Sequence, residues 1–127
     1  MVEMVIITPL LLMMIFSIVE FGVMFGRWQT LTNAAREGAR TAIVFRAPCN
    51  AATVTDEVRT RVRDYASTLG MTLPDAAITV TGACAGVDST TAVNVTHPYS
   101  FRVVPGFASS VNPTINLVGT STMRNEG

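Results

Sequence analysis

The side chains in this sequence that could do chemistry are few and scattered. Among 127 residues there is one His, His97, and there are two Cys, Cys49 and Cys84. Nucleophilic catalysis needs a base poised beside Ser, Thr or Cys. His97 falls instead in the apolar register of an alternating run, with Val93, Val95 and Tyr99, and reads there as a structural side chain. One His and two separated Cys cannot supply three close metal ligands. The glycine loop from Gly82 to Gly86 lacks the Lys and the following helix of a phosphate cradle. The acids Asp56 and Glu57 stand near a helix start, where the macrodipole accounts for them. Asn94-Val95-Thr96 matches a glycosylation sequon, but it lies within a strand pattern. No enzyme activity, cofactor, metal or small-molecule substrate is expected. The cysteines offer one disulfide, Cys49–Cys84, closing a loop of about 35 residues and worth about 3–4 kcal/mol in the chain-entropy model. Such a bond implies an oxidising compartment outside the cytoplasm.

The elements that must carry these residues divide the chain into two regimes. Overall the sequence is 49% hydrophobic and 14% charged, with nine basic and nine acidic residues. Zero net charge removes the electrostatic footprint of a nucleic-acid binder. Residues 1–26 hold five of the seven Met and only two charges, Glu3 and Glu20. From residue 4 to residue 26 the run is apolar all round, and as a helix it would be about 34 Å long, enough to cross a bilayer core. It suits a cleaved secretory signal poorly, because it has no basic start, is too long and lacks a small-residue cleavage site. Pro9 interrupts the run and removes one helix hydrogen bond. Glu20 would cost about 2.5–3.5 kcal/mol at bilayer mid-depth and less near the headgroups. It could also pair with Arg27 of a shifted neighbouring helix, and Glu3 could meet the α-amine of another copy. The side chains offered to such neighbours are Leu10, Leu11, Leu12, Ile15, Phe16, Val19, Phe21 and Phe25.

The helix is expected to continue to about Arg46. Trp28, Leu31, Ala35, Gly38 and Ala42 follow at helical spacing, and Arg27, Thr32, Arg36, Glu37 and Arg40 occupy the other face. Glu37 and Arg40 are spaced for a surface pair. Pro48 ends the element, and small residues from Ala34 to Ala42 allow close approach. A second helix is expected over about 53–69, capped by Thr53 and stopped by Gly70, with Val54, Val58, Val62, Tyr65, Ala66 and Leu69 buried. Arg59, Arg61 and Arg63 read as a solvated face.

From Ala76 the period becomes two. Ile78 and Val80 mark a first strand. A long second strand puts Val93, Val95, His97, Tyr99, Phe101 and Val103 on one face and Thr91, Asn94, Thr96, Ser100 and Arg102 on the other. Pro98 suggests an edge or a bulge. After a loop at 105–113, a last strand over about 114–123 places Ile115, Leu117 and Met123 together. The expected fold is α+β: an N-terminal transmembrane or filament-core helix (1–26) and a small domain (27–127). The domain's first helix (27–46) is continuous with the core helix, and a second helix packs on a three- or four-stranded antiparallel sheet.

Topology signals disagree. Arg27, Arg36, Arg40 and Arg46 follow the span and no base precedes it, which by the positive-inside rule places the domain in the cytoplasm. The disulfide places it outside. A short basic leader, once present before Met1 and removed, reconciles them.

Three blocks, VEMVIITPLLL (2–12), IVEFG (18–22) and TLTNAAREGAR (30–40), resemble the TadE-like family of tight-adherence pilus proteins, within the type IV pilin-like group. The resemblance implies a leader cut by a prepilin peptidase, residence in the inner membrane as a single-pass precursor, and handling by a pilus assembly machinery. It then implies packing among copies of the chain in an extracellular adhesive pilus, with Glu3 neutralising the α-amine of a neighbouring subunit. A non-polymerising, membrane-anchored minor pilin or assembly factor is the other role that it allows.

Overall fold

The computed structural model describes residues 2–44, 47–102 and 113–125. Its first element is α1, Val2–Ala42, a single helix of 41 residues, about 60 Å long at 1.5 Å per residue. Pro9 lies inside it. The polar side chains of its apolar half hide their hydroxyls on their own helix: Thr8 donates to the Met4 carbonyl at 2.6 Å and Ser17 to the Met13 carbonyl at 2.7 Å. Neither hydroxyl then needs water, which is what a helix in lipid requires.

The helix stops at Ala42, four residues before the position expected from the sequence. Ile43 still bonds back to Ala39 at 3.1 Å. Two successive β-branched residues, Ile43 and Val44, then give way to the turn that reverses the chain. Arg46 lies outside the described residues. The second helix, α2, spans Ala51–Ser67. Asn50, not Thr53, caps it, its side chain accepting from the Ala52 N–H at 3.0 Å. Asn and Thr are both capping residues, and the earlier one wins because Ala51 and Ala52 readily join the helix. Asp56 and Glu57 therefore fall beyond the first turn, and Asp56 instead lies 3.5 Å from Arg59. At the other end Gly70 takes φ +71° and Met71 bonds back to Ala66 at 3.1 Å, the left-handed stop for which glycine is suited. Leu69 belongs to this turn and is exposed, so the buried stripe of α2 ends at Ala66.

The sheet has three antiparallel strands in the order β1-β2-β3: β1 Ile78–Thr81, β2 Thr90–Ser100 and β3 Thr114–Arg124. β1 pairs only with the first half of β2, from Thr81 opposite Ala92 to Ile78 opposite Val95. β3 pairs along the whole of β2, from Arg124 opposite Thr90 to Thr114 opposite Ser100. Pro98 is thus on the central strand, but beyond the reach of β1, where β2 has a single partner among the described residues. This explains how a residue without an N–H is tolerated there. Val103 and the loop at 103–112 lie outside the described residues.

Both helices cover one face of the sheet. The core joins Leu31, Ala35 and Ala39 of α1 to Val54, Val58 and Val62 of α2 and to Ile78, Val93, Val95, Tyr99 and Leu117 of the strands. Close approach depends on glycines. A Cβ on Gly38 would stand 2.7 Å from Val62 Cγ2, and one on Gly119 would stand 2.6 Å from the Thr32 backbone nitrogen. The backbone of α1 therefore rests directly on β3. Thr91 corrects the face expected from the sequence. It shares parity with Val93 and is fully buried, its hydroxyl satisfied by the Gly82 carbonyl at 3.0 Å and by Asn125 Oδ1 at 2.6 Å. Ile115 differs in the other direction: it is 38% exposed, while Leu117 is buried. The opposite face of the sheet is polar, with Asn94 accepting from the Thr120 hydroxyl at 2.8 Å.

Cys49 and Cys84 are bonded, with 5.8 Å between their Cα atoms. The bond ties the segment before α2 to the β1–β2 loop.

Candidate functional site: the bare half of the long helix and its junction with the domain

Every large apolar side chain from Met4 to Val23 is exposed. The most apolar 18-residue window of this helix has a mean hydropathy of 2.4 and is 6% buried. Exposure goes all the way round: Leu10 is 70%, Leu11 54%, Phe16 48% and Phe21 61% exposed. Removal from water is worth about 1.5–3 kcal/mol for each such side chain, so this surface is built to be covered by something other than its own domain. Leu10, Leu11, Leu12, Ile15, Phe16, Val19, Phe21 and Phe25 all stand on it. Leu10, Met13, Met14, Ser17, Ile18 and Phe21 line a shallow apolar groove of about 640 Å³.

Packing on the domain begins at Glu20 and recurs at Met24, Arg27, Leu31, Ala35, Gly38 and Ala42, three- and four-residue steps that keep one helix face on the sheet and α2. Trp28 departs from the expected stripe. It is 43% exposed, donates its indole N–H to the Val118 carbonyl of β3 at 3.1 Å, and meets Phe25 at a 40° tilt with 5.6 Å between ring centres. The Arg27 guanidinium lies 5.4 Å over the Tyr99 ring, and Tyr99 meets Phe101 edge-on at 5.4 Å.

Glu20 is 8% exposed. Its carboxylate accepts the backbone N–H of Arg102, and its own carbonyl accepts the Tyr99 hydroxyl at 3.4 Å. The one acid deep in the apolar half of α1 is thus spent within the chain, clasping the end of β2 to the helix. Sequence reasoning singled out Glu20 and Arg27 but missed Tyr99 and Arg102 as their partners. Glu3 lies on the exposed first turn of α1, far from this junction.

Elsewhere the charged side chains serve the domain. Glu37 faces Arg61 at 3.9 Å and Arg63 faces Asp75 at 3.2 Å, so the three arginines of α2 point to separate acids. Burial, and secondarily the nearby Arg27 charge, hold His97 below its usual pKa of 6.5. Among the described residues no group of three or more His, Cys, Asp or Glu could hold a metal ion.

Residues 1–40 match the family model described as TadE-like protein. The matched segment is α1 almost to its end, both the bare half and the half packed on the domain. No curated protein and no solved structure matches the chain. The match lies on the helix alone.

Proposed function

We propose that this chain is a structural subunit of a tight-adherence pilus, anchored first in the inner membrane through the first half of α1 and then packed through that surface against copies of itself. The observation that carries this reading is the contrast along one continuous helix. The part from Met4 to Val23 is apolar and bare on all sides, and the part from Leu31 onward is sealed into a domain. A helix with apolar residues on all sides belongs in lipid or in a bundle of helices. The family match of residues 1–40 supports the pilus context. The Cys49–Cys84 bond supports a domain that matures outside the cytoplasm, which with the arginine-rich segment after the span is consistent with a basic leader removed on export. In this reading Glu3 takes the α-amine of a neighbouring subunit, a prepilin peptidase cuts the leader and the pilus machinery moves the subunit.

One observation favours the second role, an anchored minor pilin or assembly factor that does not polymerise. Glu20 is used inside its own chain, as a self-sufficient anchored domain would use it. Fractionation separates the two. A filament subunit is recovered in surface filaments sheared from cells. Recovery in the membrane pellet alone, after shearing that releases other filaments, supports the anchored role.

A further inference from the structure

The junction between α1 and β2 encloses an open cleft of about 420 Å³. Phe16, Val19 and Val23 of α1 give it an apolar lining, and Arg27, Tyr99 and Arg102 line it as well. Ser100 adds a hydroxyl and Glu20 a carboxylate. Two positive charges against one negative leave the cleft net positive, and the carboxylate is already engaged by the Arg102 N–H. Among the described residues neither guanidinium belongs to an ion pair; Arg27 only overlies the Tyr99 ring.

The depth of the cleft can be worked out from the helix rise. From Glu3, the acid that bounds the apolar run, to Glu20 α1 climbs about 26 Å, close to the hydrocarbon thickness of a bilayer, and the next seven residues to Arg27 climb about 10 Å, the scale of a headgroup layer. The cleft therefore spans the edge of the hydrocarbon, where the Arg102 backbone meets Glu20, and the headgroup level, where Arg27 stands over Tyr99; the long Arg102 side chain can extend from the first level toward the second. Among the described residues β1 does not extend beside Pro98, Tyr99 and Ser100, and Pro98 and Ser100 are exposed.

We infer that this cleft is a binding site for the phosphate headgroup of one anionic phospholipid, held by Arg102 and Arg27, with its acyl chains lying along Phe16, Val19 and Val23. Such a lipid fixes the tilt and height of the domain over the membrane before the subunit leaves it. A guanidinium suits this role because its planar fork takes two phosphate oxygens at once. This inference rests on the membrane-anchored stage of the function proposed above.

The test uses the full chain in nanodiscs of phosphatidylcholine with or without phosphatidylglycerol, reading thermal unfolding by the fluorescence of Trp28. Bound ligand stabilises the folded chain by mass action, and an increment of at least about 3 °C with phosphatidylglycerol is expected. Arg102→Gln should abolish that increment, whereas Arg36→Gln, an exposed arginine of α1 outside the cleft, should keep it. Equal loss in both variants would reduce the effect to general surface charge and overturn the site. No increment in wild-type protein overturns it as well, and so does an equal shift from inorganic phosphate added to phosphatidylcholine discs. An increment that depends on the number of chains per disc would assign the cleft to a second copy instead. Failure of the chain to enter discs of either composition would remove the membrane reading itself, an outcome distinct from all of these.

Discussion

Replacing Gly119 by Ala tests the packing of the long helix on the sheet. The added Cβ would stand 2.5 Å from the Leu31 carbonyl oxygen and 2.6 Å from the Thr32 nitrogen, whereas ordinary contact begins near 3.4 Å. Both opposing atoms belong to the backbone of α1, so no side-chain rotation can make room. The helix must lift by close to an ångström, which also opens the contact between Leu31 and the rest of the core. Overpacking of this kind costs about 1–3 kcal/mol. For a domain of about 100 residues each kcal/mol shifts Tm by about 4–8 °C, so the expected loss is on the order of 10 °C. Gly22 and Gly26 serve as controls, because a Cβ there meets nothing within 4 Å, and Ala in place of a helical Gly gains up to about 1 kcal/mol. Gly38→Ala should fall between, since its clash is with the Val62 and Val58 methyls and the helix-propensity gain offsets part of it. The assay is circular dichroism melting of the detergent-dispersed full chain. A Gly119→Ala protein that melts with or above wild type would refute the direct contact between α1 and β3.

Other perturbations follow from the same geometry. Reducing Cys49–Cys84, or replacing both with Ser, should lower stability by about 3–4 kcal/mol, visible as an earlier melt under reducing conditions; an unchanged melt would count against the bond. Glu20→Ala removes the acceptor of the Arg102 N–H and should cost about 1.5–3 kcal/mol. Hydrogen exchange at the Arg102 amide should accelerate, whereas Glu20→Gln retains an acceptor and most of the protection. Trp28→Phe should cost about 1 kcal/mol by leaving the Val118 carbonyl without its indole donor. His97 has its folded-state pKa held below 6.5 by burial and then by Arg27, so below that pH the unfolded chain binds the proton more readily. Stability should therefore decline as pH falls from 6.5 toward the folded-state value and stay level above it, and His97→Gln should flatten that slope in pH-dependent melts.

How much of this was legible in the sequence depends on how local each cause is. The long helix and its bare half could be read because hydropathy is a property of consecutive residues. The α+β architecture of two helices and three strands followed from the change of period near Ala76, and the two lone cysteines pointed to each other. Errors arose where a choice is made by something distant. One exception is local: Asn50 and Thr53 are both good caps, and α2 starts at the earlier because Ala51 and Ala52 readily join it. Thr91 reads as a surface residue by type, but the pairing with β3 fixes its parity, and Asn125 satisfies its hydroxyl from 34 residues away. Glu20 was conspicuous as an acid in an apolar run, but its partner lies 82 residues further on, beyond any spacing rule. Gly119 gave a faint signal, since an isolated glycine in a strand marks a close backbone approach; which backbone approaches was not readable.

The central claim is that the bare half of α1 packs against the same surface of other copies. Photo-crosslinking tests it most directly, with a photoreactive phenylalanine analogue placed at Phe16 or Phe21, which are 48% and 61% exposed, in cells that assemble the structure. The account predicts a ladder of covalent dimers, trimers and higher species of this chain in the sheared surface fraction. The same analogue at Phe101, within the domain, should give no ladder. Crosslinks to lipid alone, with the chain remaining monomeric at both helix positions, would contradict it.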